Sequence, residues 1–266
     1  MTKELPPSTD QSMWRLEAMD QHLVSLVDPA SFEADQYRTL RHLVEQLDST
    51  KRVIAVTSAL PGDGKTMTAL NLAGALAHAS QARILVWDLD LRTPSVGKRL
   101  GLSVQNPGSV DLIVDPGLTL NDVVRRHPQF PIWVMAGGGP LLVPYEVLKS
   151  PRLAVLLREA REQYDYVVVD TAPLTPVPDS RLIADRVDGF VMVVAAHRTP
   201  RKFLEDALNL MDPGKVIGIV FNRDDRRLYG YYGSYYGYGR RAKRGRKPHA
   251  VLASAMLSRV TAPRDS

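Results

Sequence analysis

The sequence predicts an α/β fold: a mostly parallel sheet covered by helices on both faces. Three observations predict it. Apolar, β-branched runs of strand length recur at residues 52–58, 82–87, 166–169, 189–196 and 215–221. Segments with apolar residues at helical 3–4 spacing separate several of them. The 266 residues are 44% hydrophobic and 24% charged, enough for one core-bearing domain of about 200 residues with loose ends. Strands alternating with helices run parallel, with helices on both sides.

The elements follow in order. Residues 1–13 are polar and proline-bearing and read as loose, and 14–27 as a short helix. Tyr37, Leu40, Val44 and Leu47 share one side of a helix over 35–47. The run of Val53, Ile54, Ala55 and Val56 is a buried strand. A glycine turn follows, then a helix over 65–78. Residues 82–87 form a second strand and 133–136 a short third, ending at Gly137, Gly138 and Gly139. Residues 151–163 are helical, 166–169 a strand, and a helix over 200–211 separates the last two strands. Residues 101–130 carry no readable period. A short helix is expected over 251–260. The expected division is a flexible segment 1–30, a domain 31–222 and a tail 223–266.

Composition narrows the function. The absence of cysteine excludes a disulfide framework, a thiolate zinc site and a cysteine nucleophile. No signal peptide and no apolar run of about 18–20 residues is visible, so work at a membrane would need another chain as anchor. Six cations fall between Arg240 and Lys247. The remaining 28 face 29 acids, so the net charge of +5 belongs to the tail and a nucleic-acid surface is not indicated. His22, His42, His78, His127, His197 and His249 show no metal-ligand spacing.

The chemistry starts at Ala59, Leu60, Pro61, Gly62, Asp63, Gly64, Lys65 and Thr66, between a strand and a helix. This is a phosphate loop, G-x-x-x-x-G-K-[ST], with Ala59 in place of the first glycine. Its backbone N–H groups and helix N-terminus suit phosphate. The nucleotide-binding set is Pro61, Gly62, Asp63, Gly64, Lys65, Thr66 and Met67. Lys65 would meet the β/γ-phosphates and Thr66 would ligate Mg²⁺. Asp88 and Asp90 follow the second strand, and Asp170 follows the strand over 166–169. Ligand crevices of open parallel sheets lie at the C-terminal strand ends, so these carboxylates should gather near Lys65. Thr66, Asp88 and Asp170 are the candidate metal ligands, with Lys65, Asp88, Asp90 and Asp170 the catalytic set.

The loop, the stretch Asp88-Leu89-Asp90-Leu91-Arg92 and the strand end Val169-Asp170-Thr171-Ala172-Pro173 resemble the Walker A, A′ and B motifs of bacterial tyrosine kinases. These are P-loop autokinases of capsule and exopolysaccharide production. The resemblance spans about residues 35–238 and implies a P-loop NTPase fold, ATP with Mg²⁺, and transfer of a γ-phosphoryl group to tyrosine. Asp88 would be the base, with Asp90 and Asp170 organising the metal. The related partitioning ATPases carry an extra lysine early in the loop, where Leu60 stands. Pro144, Glu146 and Leu148 resemble the family's loop after the glycines, with Val143 where asparagine is frequent. Asn222 lies where related folds contact adenine.

Six of ten tyrosines lie in the tail: Tyr229, Tyr231, Tyr232, Tyr235, Tyr236 and Tyr238, interleaved with glycines that disfavour regular structure. They resemble the family's autophosphorylation cluster. Each phosphotyrosine adds about −1.5 to −2 charge, so roughly three or four would cancel the adjacent cations. The basic run would hold an anionic surface, inner-leaflet lipid or an acidic protein patch, until phosphorylation weakens it. Asp35, Arg38 and Arg41 resemble the family's E-x-x-R-x-x-R oligomerisation motif, with Asp at the acidic position. The resemblance further implies a homo-oligomer phosphorylating in trans, a separate transmembrane chain-length (co-polymerase) activator, a tyrosine phosphatase, and a cytoplasmic chain recruited to the inner face of the plasma membrane. Two other readings compete: a switch ATPase of the partitioning type, and a non-catalytic nucleotide-binding adaptor.

Overall fold

Residues of alternate parity along each central strand enter opposite hydrophobic clusters. Ile54 and Val56 face one cluster, and Val53 and Ala55 the other. Ile84 and Val86 are likewise separated from Leu85 and Trp87, as the period of two requires. In the computed structural model, which describes residues 11–47, 52–79, 82–103, 106–175, 177–224 and 251–253, these strands form one sheet.

The strands are β1 (Val53–Ser58), β2 (Ile84–Leu89), β3 (Arg125–Arg126), β4 (Ile132–Met135), β5 (Tyr166–Thr171), β6 (Gly189–Ala195), β7 (Val216–Asp224) and β8 (Val251–Ala253). The order is β3-β4-β2-β5-β1-β6-β7-β8. All pairings from β4 to β7 are parallel, and the edge pairs β3–β4 and β7–β8 are antiparallel. The predicted parallel α/β architecture stands.

The helices are α1 (Val24–Val27), α2 (Phe32–Glu45), α3 (Lys65–Ala79), α4 (Val96–Arg99), α5 (Ser109–Val114), α6 (Leu120–Val123), α7 (Tyr145–Lys149), α8 (Pro151–Gln163), α9 (Asp179–Leu182) and α10 (Arg201–Asn209). Residues of α2 and α3 pack with one face of the sheet, and those of α5, α6 and α8 with the other. A small third cluster under α10 holds Ala59, Leu174, Met192, Val194 and Ala207. Ser31 caps α2 by accepting the Ala34 N–H, and Ser150 with Pro151 opens α8.

Three expectations need correction. The segment 1–30 was expected to be flexible, with a helix over 14–27. Instead, residues 11–30 are strapped onto the domain through two short 3₁₀ turns and the four-residue α1. Trp14, Met19, Leu23 and Leu26 are buried in the core beside α3 and α4. Arg15 N–H donates to Gly101 O at 2.7 Å, Asp20 N–H to Arg99 O at 2.9 Å, and Asn71 is bonded to both His22 and Ser25. The apolar residues anchor a chain that crosses the surface, so they show no helical period. Next, β7 continues to Asp224, beyond the expected domain end at 222. Finally, Val251–Ala253 is a strand rather than the start of a helix, since it completes the edge of β7 with Ala253 opposite Phe221. Residues 254–260 of that expected helix lie outside the described residues, as do the six tail tyrosines and the basic run.

The strap is part of the core, so removing its anchor should unfold more than a tail. Leu23→Ala, at a fully buried site, is expected to cost about 2–5 kcal/mol of global stability in urea denaturation. A loss below about 0.5 kcal/mol would show that the segment adds nothing to the fold.

Candidate active site

The sheet order puts β2, β5 and β1 side by side. Their C-terminal ends carry Asp88 and Asp90, Asp170, and the phosphate loop. Asp88 and Asp170 are direct register partners across β2 and β5. The loop runs from Ala59 to Lys65, where α3 begins. Gly62 and Gly64 have φ of +85° and +105°, a region side chains resist. A Cβ on Gly64 would lie 1.9 Å from the Asn222 amide nitrogen. Ala59 explains its own departure from the motif. It is outside the positive-φ set, and its methyl group is buried with Leu174 and Met192.

Lys65 and Thr66 are buried and turned toward the carboxylates. Lys65 Nζ lies 2.6 Å from Asp90 Oδ2 and 3.9 Å from Asp170 Oδ1. Burial works to lower the lysine's pKa, but Asp170 and Asp90 outweigh it and hold the value above normal. Thr66 donates its hydroxyl to Asp170 Oδ2 at 2.6 Å. Burial, more than any other cause, lifts Asp170 to about 6 against the pull of Lys65 and Thr66. Asp88 is fully buried, and burial with the repulsion of Asp170 raises it well above the usual carboxylate range. It accepts N–H bonds from Ser95 at 2.8 Å, Val96 at 2.9 Å and Asp90 at 3.1 Å. These tie it to the entry of α4.

All four expected catalytic residues therefore meet. The donor set also fits Mg²⁺. Asp170 Oδ1 is buried without a hydrogen-bond partner, and the Thr66 hydroxyl adjoins the same carboxylate. Among the described residues no three His, Asp or Glu converge as a self-contained metal site. Mg²⁺ bound with substrate phosphates typically uses only one or two carboxylates.

Asp179 and Thr199 carried no readable signal in the sequence, and they join Arg92, Asp63 and Asn222 around the site. Arg92 forks onto Asp179, Nε to Oδ2 at 2.6 Å and Nη2 to Oδ1 at 3.1 Å, and donates Nη1 to Leu142 O at 2.8 Å. Asp63 accepts the Leu60 N–H at 3.0 Å and the Thr199 hydroxyl at 2.6 Å. Asn222 donates Nδ2 to Asp63 O at 2.9 Å and accepts the Arg223 N–H, so its amide braces the loop. Only contact across more than 80 residues brings Asp179, Thr199 and Asn222 to their partners. Elsewhere, Asp35 and Arg38 pair on α2, Arg38 also donating to Pro29 O, while Arg41 reaches Glu45 and Ala75 O.

No protein-family profile matches the chain. The tyrosine-protein kinase CpsD of Streptococcus pneumoniae is 30% identical over 221 residues, covering 79% of this chain and 93% of that kinase. ExoP of Rhizobium meliloti, a succinoglycan biosynthesis transport protein, is 33% identical over 217 residues, but this chain spans only 27% of its length. The solved kinase domain of VpsO aligns with a TM-score of 0.64 at 31% identity, covering 70% of this chain and 91% of that domain.

The buried carboxylates make stability depend on pH. Asp170 is lifted in the fold from an unfolded value near about 3.9. Ionising it therefore costs stability progressively as pH rises from about 4 to 6, and the cost is absent below that window. Asp170→Asn can still accept the Thr66 hydroxyl. In EDTA it should stabilise the protein at pH 7.5 by about 1–3 kcal/mol, the gain vanishing near pH 4. A gain independent of pH would show that ionisation is not its cause.

Proposed function

The chain belongs to the bacterial tyrosine kinases, and from that premise we propose how its residues transfer the γ-phosphoryl of ATP to tyrosine in capsule or exopolysaccharide production. The observation that carries the assignment is the meeting of Lys65 and Thr66 with Asp88, Asp90 and Asp170 at three adjacent strand ends.

The loop N–H groups from Gly62 to Met67 hold the phosphates, Pro61 shapes the turn before them, and Gly62 and Gly64 allow the backbone to curl around them. Lys65 leaves Asp90 to stabilise charge on the β/γ-phosphates. Thr66, Asp88 and Asp170 would hold Mg²⁺, and the ion would offset charge on the phosphate oxygens. Asp90, freed of the lysine, would help to organise the metal site. Asp88 takes the proton of the tyrosine hydroxyl as the phosphoryl group moves across. Burial and the neighbouring Asp170 raise its pKa, which makes its carboxylate a stronger base than an exposed one. The acceptors are Tyr229, Tyr231, Tyr232, Tyr235, Tyr236 and Tyr238, on a neighbouring copy, with Asp35, Arg38 and Arg41 contributing to assembly.

The activator is a separate transmembrane chain, and a tyrosine phosphatase reverses the modification at the inner face of the membrane. What supports a membrane component is the similarity to ExoP, a succinoglycan biosynthesis transport protein that extends far beyond the matched part. Among the described residues no helix is long and apolar enough to cross a membrane. Leu60, in the place of the extra lysine, and the six tail tyrosines weigh against a switch ATPase.

Intact-mass spectrometry after incubation with Mg²⁺ and ATP tests the reading. Successive additions of about 80 Da, one phosphoryl group each, are expected. Lys65→Ala and the variant with all six tail tyrosines changed to Phe should show none. Asp88→Asn should slow the ladder by about 10²–10⁴-fold while ADP binding stays within a few-fold. Free phosphate without phosphotyrosine would indicate the switch ATPase instead.

A further inference from the structure

A groove of about 380 Å³ lies beyond the glycines that follow β4. Its apolar wall is Pro107, Val110, Val114 and Leu118, with Asp111 and Asp115 on the rim. Its position follows from two glycines. A Cβ on Gly137 would lie 3.4 Å from Asp88 Cγ. A Cβ on the next residue, Gly138, would lie 3.5 Å from both Asn106 Oδ1 and Asp111 Oδ2. With consecutive Cα atoms about 3.8 Å apart, these contacts put the nearest side chains of the groove within about 14 Å of Asp88.

We propose that this groove docks the basic run Arg240–Lys247 of a neighbouring copy, and so presents the tyrosines just before it to Asp88. The proposal rests on the kinase reading above.

Charge and shape select this occupant. The rim carries two carboxylates. Asp111 accepts the Gly108 N–H at 2.7 Å and Asp115 the Gly117 N–H at 2.8 Å, so both keep lone pairs for a cation. Arg152 is a cation at this wall, donating to Leu112 O and Leu118 O, and it leaves the rim net acidic. Arginine and lysine suit an apolar groove with an acidic rim, because their methylene stems lie on apolar surface while their heads stay at the edge. The volume is at the lower end of the range of about 300–1,000 Å³ for ligand clefts, room for side chains of an extended segment.

The spacing also agrees. Arg240 and Arg241 follow Tyr238 by two and three residues, about 7–10 Å of extended chain. That reach lies within the distance the glycine contacts allow between the groove and Asp88. The same charges provide release. Each phosphate adds about −1.5 to −2 beside an acidic rim, so the phosphorylated tail is repelled from the surface that held it.

The test mixes two full-length chains. The donor has its six tail tyrosines changed to Phe and its own basic run changed to Gln, leaving its groove vacant. The acceptor is Lys65→Ala with an intact tail. Phosphotyrosine on the acceptor is measured against acceptor concentration. Changing the donor by Asp111→Asn with Asp115→Asn, which keeps both N–H bonds, should raise KM about tenfold and leave kcat within twofold. Changing the acceptor's six cations to Gln should do the same. Both changes together should do no more than either alone.

Additive effects would place the basic run elsewhere and overturn the proposal, as would an unchanged KM. Fluorescence anisotropy of a labelled peptide of residues 229–247 on the donor chain reads docking without phosphoryl transfer. At least a fivefold loss of affinity is expected for the doubly substituted donor, and equal binding overturns the groove. No phosphotyrosine on an acceptor that still binds would instead overturn the kinase reading and leave the docking surface standing.

Discussion

Three carboxylates buried around one ammonium group set the terms for the rest of the structure. Asp88, Asp90 and Asp170 are all within 1% of full burial, and Lys65 is the cation that touches two of them. Isolated buried charges are untenable, so each must be paired, hydrogen-bonded or neutralised. Asp90 is paired with Lys65 and bonded to Thr93. Asp88 is bonded to three backbone N–H groups. Asp170 is the least provided for, with one oxygen on Thr66 and the other without a hydrogen bond. The raised pKa values of Asp88 and Asp170 register the remaining imbalance. A site with surplus negative charge and an unfilled oxygen has a physical demand for a cation, which Mg²⁺ accompanying a nucleotide would meet.

The sheet topology makes that imbalance unavoidable. Parallel register fixes Asp88 opposite Asp170, on strands spaced about 4.8 Å apart. Like charges directly opposite one another on a sheet are destabilising. The fold tolerates them because β1 lies on the far side of β5 and delivers Lys65 and Thr66 to the same end. Function has been placed where the sheet is electrostatically least content, and the surrounding hydrophobic clusters offset the cost.

Much of this was legible in the sequence. The six parallel strands were visible as apolar runs, and the Lys65, Asp88, Asp90 and Asp170 set as strand-end polar residues in an α/β pattern. What escaped has physical causes. Residues 101–130 build α5 and α6 from four to six residues each, too short for a helical period, and Asp111 and Asp122 bond back to their first turns. The N-terminal strap buries Trp14, Met19, Leu23 and Leu26 at irregular intervals because it follows the surface of other elements. The edge strand Val251–Ala253 depends on pairing with β7, which no local pattern reveals. Thr199 and Asp179, and the bracing role of Asn222, support the site through contacts that only the folded chain creates.

Arg92 shows how far motif and role can separate. As the last residue of the A′ pattern it would pass for another phosphate-binding cation. In the structure its three donor nitrogens each have an acceptor, two on Asp179 and Leu142 lying 87 and 50 residues away. A bidentate arginine–carboxylate pair is rigid, and Asp179 is almost fully buried. Leu141 N–H adds a bond to Leu91 O at 2.7 Å. The end of β2, the loop before α7 and the start of α9 are thereby fastened together. That clamp fixes the chain around Asp88 and Asp90, so the arginine of the motif acts on the carboxylates through the backbone that carries them, while Lys65 remains the cation that faces them.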